Sequence, residues 1–133
     1  MKMTSKSEYA LLSLLFLARQ DNDAFVTVAH IAAQQNIPPK FLEQILLVLK
    51  RGGFVRSSKG QGGGYRIAKP PTQISLAEII RFFDGALAPT ESVSKYFYEP
   101  TPIEKEQKLT NVFRDIRDFI SNKLEQTTLA DVL

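Results

Sequence analysis

Apolar residues recur at helical spacing along most of the chain, and polar breaks divide it into elements. The first run, Tyr9 to Ala18, is apolar but for Ser13. Thr4 or Ser5 can cap it, and the pattern predicts a helix to about Gln20, broken by Asp21-Asn22-Asp23. The run is too short to cross a bilayer and no cleavage site follows it, so it reads as a buried helix of a cytoplasmic protein. Thr27 can cap a second, short helix, Val28 to Gln35, with Val28, Ile31 and Ala32 on one face. Asn36-Ile37-Pro38 makes the turn. Pro39 suits the first turn of a third helix, where its missing N–H costs nothing. In that helix, Pro39 to Arg51, Leu42, Ile45, Leu46 and Leu49 repeat at i, i+3, i+4, i+7 and must face a core. Lys40, Glu43, Gln44, Leu47 and Arg51 occupy the opposite face.

After Gly52-Gly53 the helical period stops. A short strand, Phe54-Val55-Arg56, leads into the basic glycine tip Ser57-Ser58-Lys59-Gly60-Gln61-Gly62-Gly63-Gly64, and a second strand, Tyr65-Arg66-Ile67, returns. Pro70-Pro71 stiffens a link. Ser75-Leu76-Ala77-Glu78 is a capping box that starts a fourth helix through Phe83, stopped at Asp84-Gly85. Residues 86–102 read as loop, with Pro89, Pro100 and Pro102, and with a helical turn available over Ser92 to Tyr98. A long helix fits Glu104 to Glu125, and Thr128 can cap a last turn, Leu129 to Leu133. The expected fold is mainly α: a winged helix-turn-helix with a two-stranded β-hairpin wing and a long C-terminal dimerisation helix. Its expected divisions are 1–85 for the winged unit, 86–102 for an effector or linker loop, and 103–133 for the long helix and final turn.

Charge sharpens this outline. Net charge is only +3, but residues 1–70 carry ten Lys/Arg against four Asp/Glu, a net +6, and residues 71–133 carry seven against ten, a net −3. Pro38 to Lys69 alone holds seven basic residues (Lys40, Lys50, Arg51, Arg56, Lys59, Arg66, Lys69) against Glu43. A basic segment that coincides with a helix and a hairpin suits a polyanion, and duplex DNA above all. The glycine tip is not a nucleotide loop: that motif requires Lys-Ser/Thr and then a helix, whereas Tyr65 and a strand follow here. It is either a plain turn or a wing that lets the backbone approach DNA, and Lys59 with its flanking arginines favours the wing.

Nothing assembles into a catalytic or metal site. His30 stands alone on a helix, and the chain has no cysteine, so no thiol or thiolate-held cluster can form. Glu104, Glu106, Asp115 and Asp118 interleave with Lys105, Lys108, Arg114 and Arg117 as a solvated helix face. The expectation is a protein that is not an enzyme, with no cofactor and no metal. On the long helix, Leu109, Val112, Phe113, Ile116, Phe119, Ile120 and Leu124 form one stripe. It either packs on its own chain or makes a homodimer seam. The stripe's width favours the seam, since one short recognition helix reads few bases and DNA readers of this size pair.

With these residues placed, the chain resembles the Rrf2 family of bacterial transcriptional regulators. The resemblance rests on Ser5-Lys6-Ser7-Glu8-Tyr9-Ala10, Phe41-Leu42-Glu43-Gln44, Gly60-Gln61-Gly62-Gly63-Gly64-Tyr65, Ser75-Leu76-Ala77-Glu78-Ile79-Ile80 and Thr127-Thr128-Leu129-Ala130-Asp131, and it covers nearly the whole chain. It implies a homodimer on a pseudo-palindromic operator, with base reading by Lys40, Phe41, Glu43 and Gln44, and the role expected of this chain is that of a repressor. It puts the wing-tip contact, an arginine in the family, on Lys59, which keeps the charge but loses the planar fork. Glu8 stands where a basic residue is usual, and Leu47 and Val48 where relatives often carry polar or basic ones. The last two either meet a thymine methyl or bury against a neighbour.

The candidate DNA contacts are then Ser5, Lys6, Thr27, Lys40, Phe41, Glu43, Gln44, Lys50, Arg51, Arg56, Lys59 and Gln61. Cluster-binding relatives hold iron–sulfur through cysteines in the region that is here 86–102, and this chain has none. That and the Thr-Thr-Leu ending resemble the CymR-like branch. The resemblance implies, as effector, a metabolic enzyme or a small metabolite. A protein–protein adaptor that uses the same surface for docking is the competing reading. RNA binding is weaker, because no row of aromatics on a sheet is available to stack bases.

Overall fold

The computed structural model describes residues 1–20 and 24–133, so the expected break at Asp21-Asn22-Asp23 lies outside the described residues. The main helices are α1 (Ser5–Ala18), α2 (Val28–Gln35), α3 (Pro39–Arg51), α4 (Leu76–Asp84) and α5 (Gln107–Gln126). Strands β1 (Val55–Ser58) and β2 (Gly64–Ile67) lie between α3 and α4. Single 3-10 turns occupy Pro71–Gln73, Glu91–Val93, Pro102–Lys105 and Leu129–Val132.

The helix starts follow from their caps. Thr4 Oγ1 accepts from Ser7 N, and Thr27 Oγ1 accepts from His30 N at 3.2 Å. Ser75 and Glu78 complete the reciprocal box, Glu78 N donating to Ser75 Oγ at 3.1 Å and Ser75 N to Glu78 Oε2 at 3.2 Å. The α2–α3 turn is closed by Asn36 in the left-handed region, φ 53°, whose short polar side chain tolerates that conformation better than most. Ile37, beside it, is buried.

One core fills the angle between α1, α2, α3 and the hairpin. Leu14, Leu17 and Ile31 share it with Leu42, Ile45, Leu46 and Leu49 and with Phe54, Val55, Ile74 and Ile79. Removing one such leucine side chain costs about 2–5 kcal/mol, because the hole collapses only in part. Leu129, fully buried, belongs to this same core. It is delivered by a backbone bridge in which Leu76 N donates to Thr127 O and Leu129 N to Ile74 O, both at 2.9 Å. A second, smaller cluster (Ala77, Ile80, Leu87) takes Met3, Leu11, Ile120 and Leu124 against it and seats α5 on α4.

Several boundaries differ from the sequence reading. Helix α1 ends at Ala18, two residues before the expected Gln20. Ser57 and Ser58 pair with Tyr65 and Gly64, so the open tip is only Lys59 to Gly63. The turn expected over Ser92 to Tyr98 is instead Glu91–Val93. The long helix begins three residues late: Glu104 lies in the Pro102–Lys105 turn, and extended backbone at Glu106 separates that turn from α5. Thr110 Oγ1 holds the junction, donating toward Ile103 O at 2.8 Å and Glu106 O at 2.9 Å.

Candidate nucleic-acid interface

Helix α3 is split by its own periodicity. With Leu42, Ile45, Leu46 and Leu49 buried, Lys40, Glu43, Gln44, Leu47, Lys50 and Arg51 are all exposed on the other side. Lys50 and Arg51 sit in the last turn, where cations suit the carbonyl end of the helix. Phe41 is half-buried, with its ring edge-on to Tyr9 at 5.5 Å between centroids. Its neighbourhood is a cleft of 240 Å³ lined by Lys6, Phe41, Gln44, Ile45, Val48, Phe82 and Phe83. The cleft brings the start of α1 beside the polar face of α3, which groups Lys6 with Gln44.

The wing is an antiparallel hairpin in which Arg56 and Arg66 are direct partners. Directly opposed residues project from the same face. The Arg66 guanidinium also lies over the Phe25 ring, 4.9 Å from its centroid. At the tip, Gly63 N donates to Gly60 O at 3.0 Å, and Gly62 takes the positive φ, 77°, that the third position of such a turn requires. Lys59 and Gln61 are exposed there.

Gly64 has a different reason. Val26 and Tyr65 exchange two backbone hydrogen bonds at 2.8 Å, so the 24–27 segment lies against the wing as a one-residue third strand. A Cβ on Gly64 would overlap the Val26 carbonyl. The Tyr65 hydroxyl is pushed above its ordinary range by burial and by the Glu43 carboxylate, and α3 packs against β1 of the wing.

Ser5 is exposed at the start of α1, as is Lys6, and Glu8 faces solvent as well. Thr27 is exposed with its hydroxyl engaged as the α2 cap. His30 is exposed, edge-on to Phe16 at 5.7 Å. Of the two α3 positions left open by sequence, Val48 is half-buried at the cleft and Leu47 is exposed. The long-helix stripe divides. Leu109, Val112, Ile116 and Phe119 are exposed, Phe119 by 75%, whereas Phe113 is half-buried and Ile120 and Leu124 lie against the second cluster.

Beyond its local cap, the start of α1 has a tertiary anchor that no sequence motif signals. Asp84, at the end of α4, accepts from Thr4 N at 3.1 Å, Thr4 Oγ1 at 2.5 Å and Ser7 Oγ at 2.6 Å. Burial pushes its carboxyl up, but the hydrogen bonds from Ser7 and Thr4 outweigh that and hold it below the usual carboxylate range. No local signal marks a contact between residues so far apart in the chain. The Arg56–Arg66 pairing, by contrast, follows from the length of the tip once that is known.

The sequence profile described as "Rrf2: Iron-dependent Transcriptional regulator" matches residues 3–133. A Mycobacterium tuberculosis protein named as an HTH-type transcriptional regulator is 39% identical over 99% of this chain and 81% of its own length. The structure of CymR, the global cysteine regulator of Bacillus subtilis, superposes with a TM-score of 0.85 at 28% identity, covering 99% of this chain and 95% of CymR. The structure of IscR from T. potens gives 0.76 at 26% identity, covering 99% and 85%. The profile's iron has no thiolate donors here, because the chain contains no cysteine. Among the described residues, no three His, Asp or Glu side chains converge on a common point. Loop 86–102 supplies hydroxyls and scattered carboxylates, a poor donor set for a soft iron–sulfur centre, so these residues do not fit one. The relatives are named as regulators of transcription and not as enzymes, and the match runs through helix-turn-helix, wing and long helix alike: the chain belongs to the Rrf2 family of transcriptional regulators.

Proposed function

We propose that the protein is a homodimeric repressor that binds a pseudo-palindromic operator, with α3 in the major groove and the wing tip at the minor groove. The observation that carries this reading is a single surface, on which α3, with its exposed polar and basic face, packs beside a hairpin whose tip carries the exposed Lys59. Phosphates can pair with exposed Arg56 and Lys59 on the hairpin and with Lys40, Lys50 and Arg51 along α3. Gln44 suits adenine and Lys40 guanine; Glu43 can accept from the amino group of cytosine.

Pairing is supported by the row Leu109, Val112, Ile116, Phe119, which alternates steps of three and four and is exposed throughout. That spacing is the seam of two supercoiled helices, and a second copy would dehydrate it. Loop 86–102 is the proposed effector region, met by a metabolite or a metabolic enzyme; exposed Tyr96, Phe97 and Tyr98 support that role. Among the described residues no helix is long and apolar enough to cross a membrane. Work on chromosomal DNA would place the protein in the cytoplasm.

The test is titration of synthetic duplex DNA, selected from a random pool, at several salt concentrations. With about six phosphate contacts per dimer, affinity should fall about a thousandfold between about 50 and about 200 mM salt. An affinity indifferent to salt, or no duplex selected at all, would leave the adaptor reading in its place.

A further inference from the structure

We infer that Leu47 is a specificity-determining residue that reads the C5 methyl group of thymine, one per half-site. This rests on the major-groove placement of α3 proposed above. Leu47 is 47% exposed in the middle of a helix whose other leucines are fully buried. A lone exposed leucine ordinarily means little; its position is what matters here. At about 100° per residue, Lys40, Glu43, Gln44, Lys50 and Arg51 all lie within about 60° of it around the helix axis, some on each side. All five are exposed. Any surface that meets those five therefore meets Leu47 at its centre, and core packing of α3 cannot draw it inward.

Val48, its neighbour, faces the cleft formed with Lys6, Phe82 and Phe83 and so has apolar company within the chain. Leu47 has no such company on its own helix face. An isobutyl group cannot bond a phosphate or a base-edge donor or acceptor. Opposite a G·C pair it would strip water from the amino and carbonyl groups of the bases and return nothing. The apolar group that the major groove offers is the thymine methyl. Leu47 should therefore favour thymine by contact and disfavour G·C by desolvation, while the charged residues around it set affinity and register.

The experiment replaces each thymine of the selected duplex in turn by uracil, which pairs identically and lacks only the methyl. Fluorescence anisotropy should find one thymine in each half-site whose replacement weakens wild-type binding about fourfold, the value of one buried methyl group. Replacing both should weaken it about fifteenfold. In Leu47→Ala the same duplexes should bind with equal affinity, and the salt slope should stay at its wild-type value because no counterion is involved. Equal wild-type binding of every uracil duplex would overturn the inference. So would thymine–uracil discrimination that survives in Leu47→Ala, or a changed sedimentation coefficient of free Leu47→Ala, which would mark Leu47 as a protein contact. If no duplex is bound at all, the functional reading fails and takes this inference with it.

Discussion

At the scale of single residues, Asp84 carries a consequence for pH. Its carboxyl is charged and hydrogen-bonded in the fold, and its folded-state pKa lies below the unfolded value of about 4. The stabilisation is therefore complete above that value and is lost as pH falls through the depressed one. Asp84→Asn should be less stable than wild type by about 1 kcal/mol at neutral pH, the size of a lost helix cap. The gap should narrow below about pH 4 in urea titrations run at a series of pH values; a gap that holds constant to strong acid would mean the charge is not what matters. Gly64 makes a second prediction. Gly64→Ala sets a Cβ against the Val26 carbonyl at φ 143°, and should cost about 1–3 kcal/mol in thermal unfolding. The Val26 and Tyr65 amides, paired across that contact, should lose hydrogen-exchange protection first.

At the scale of elements, the wing and α5 separate two kinds of loss. Lys59→Ala removes a charge from an exposed side chain at the wing tip, so stability should be unchanged. Duplex affinity should fall for every sequence, by about 1 kcal/mol, and the salt slope should drop by about one per subunit. Phe119→Glu should leave the fold intact, since the ring is largely exposed, yet yield a monomer in sedimentation at micromolar concentration and weaken operator binding. A dimeric Phe119→Glu would move the seam elsewhere.

These elements also mark what a sequence can tell. Thr4, Thr27 and Ser75 announce their helices because a cap is a local contact, and all three side chains are in place. The polar face of α3 could be listed because its buried face is strictly periodic. Ser57 and Ser58 read as tip from sequence yet pair in the strand, because serines pair as readily as they turn. Periodicity along α5 identifies apolar positions but not whose surface covers them, and the stripe divides in two for that reason. The Val26 bridge and the Asp84 anchor join residues 39 and up to 80 positions apart in sequence, and neither leaves a pattern along the chain.

At the scale of the whole molecule, the backbone bridge between Ser75 and Thr128 changes what α5 is mechanically. A helix that ended freely would be a tail, able to swing without disturbing the rest. This one is a beam fixed at both ends, by Thr110 at its start and by the Leu129 plug beyond its finish, and braced midway where Arg117 donates to Val93 O at 2.8 Å. Arg81 and Glu125, 2.7 Å apart, clamp it to α4. Torque applied to the beam passes to α4, and α4 holds the head of α1 through Asp84, at the margin of the surface proposed to read DNA. A chain ending at Gln126 should accordingly not survive as a well-folded molecule. Losing the plug alone forfeits about 2–5 kcal/mol of core packing. Calorimetry should show its cooperative transition lowered or gone, where Phe119→Glu keeps one. An effector that tilts this beam by a few degrees would find no slack joint in which the rotation could dissipate.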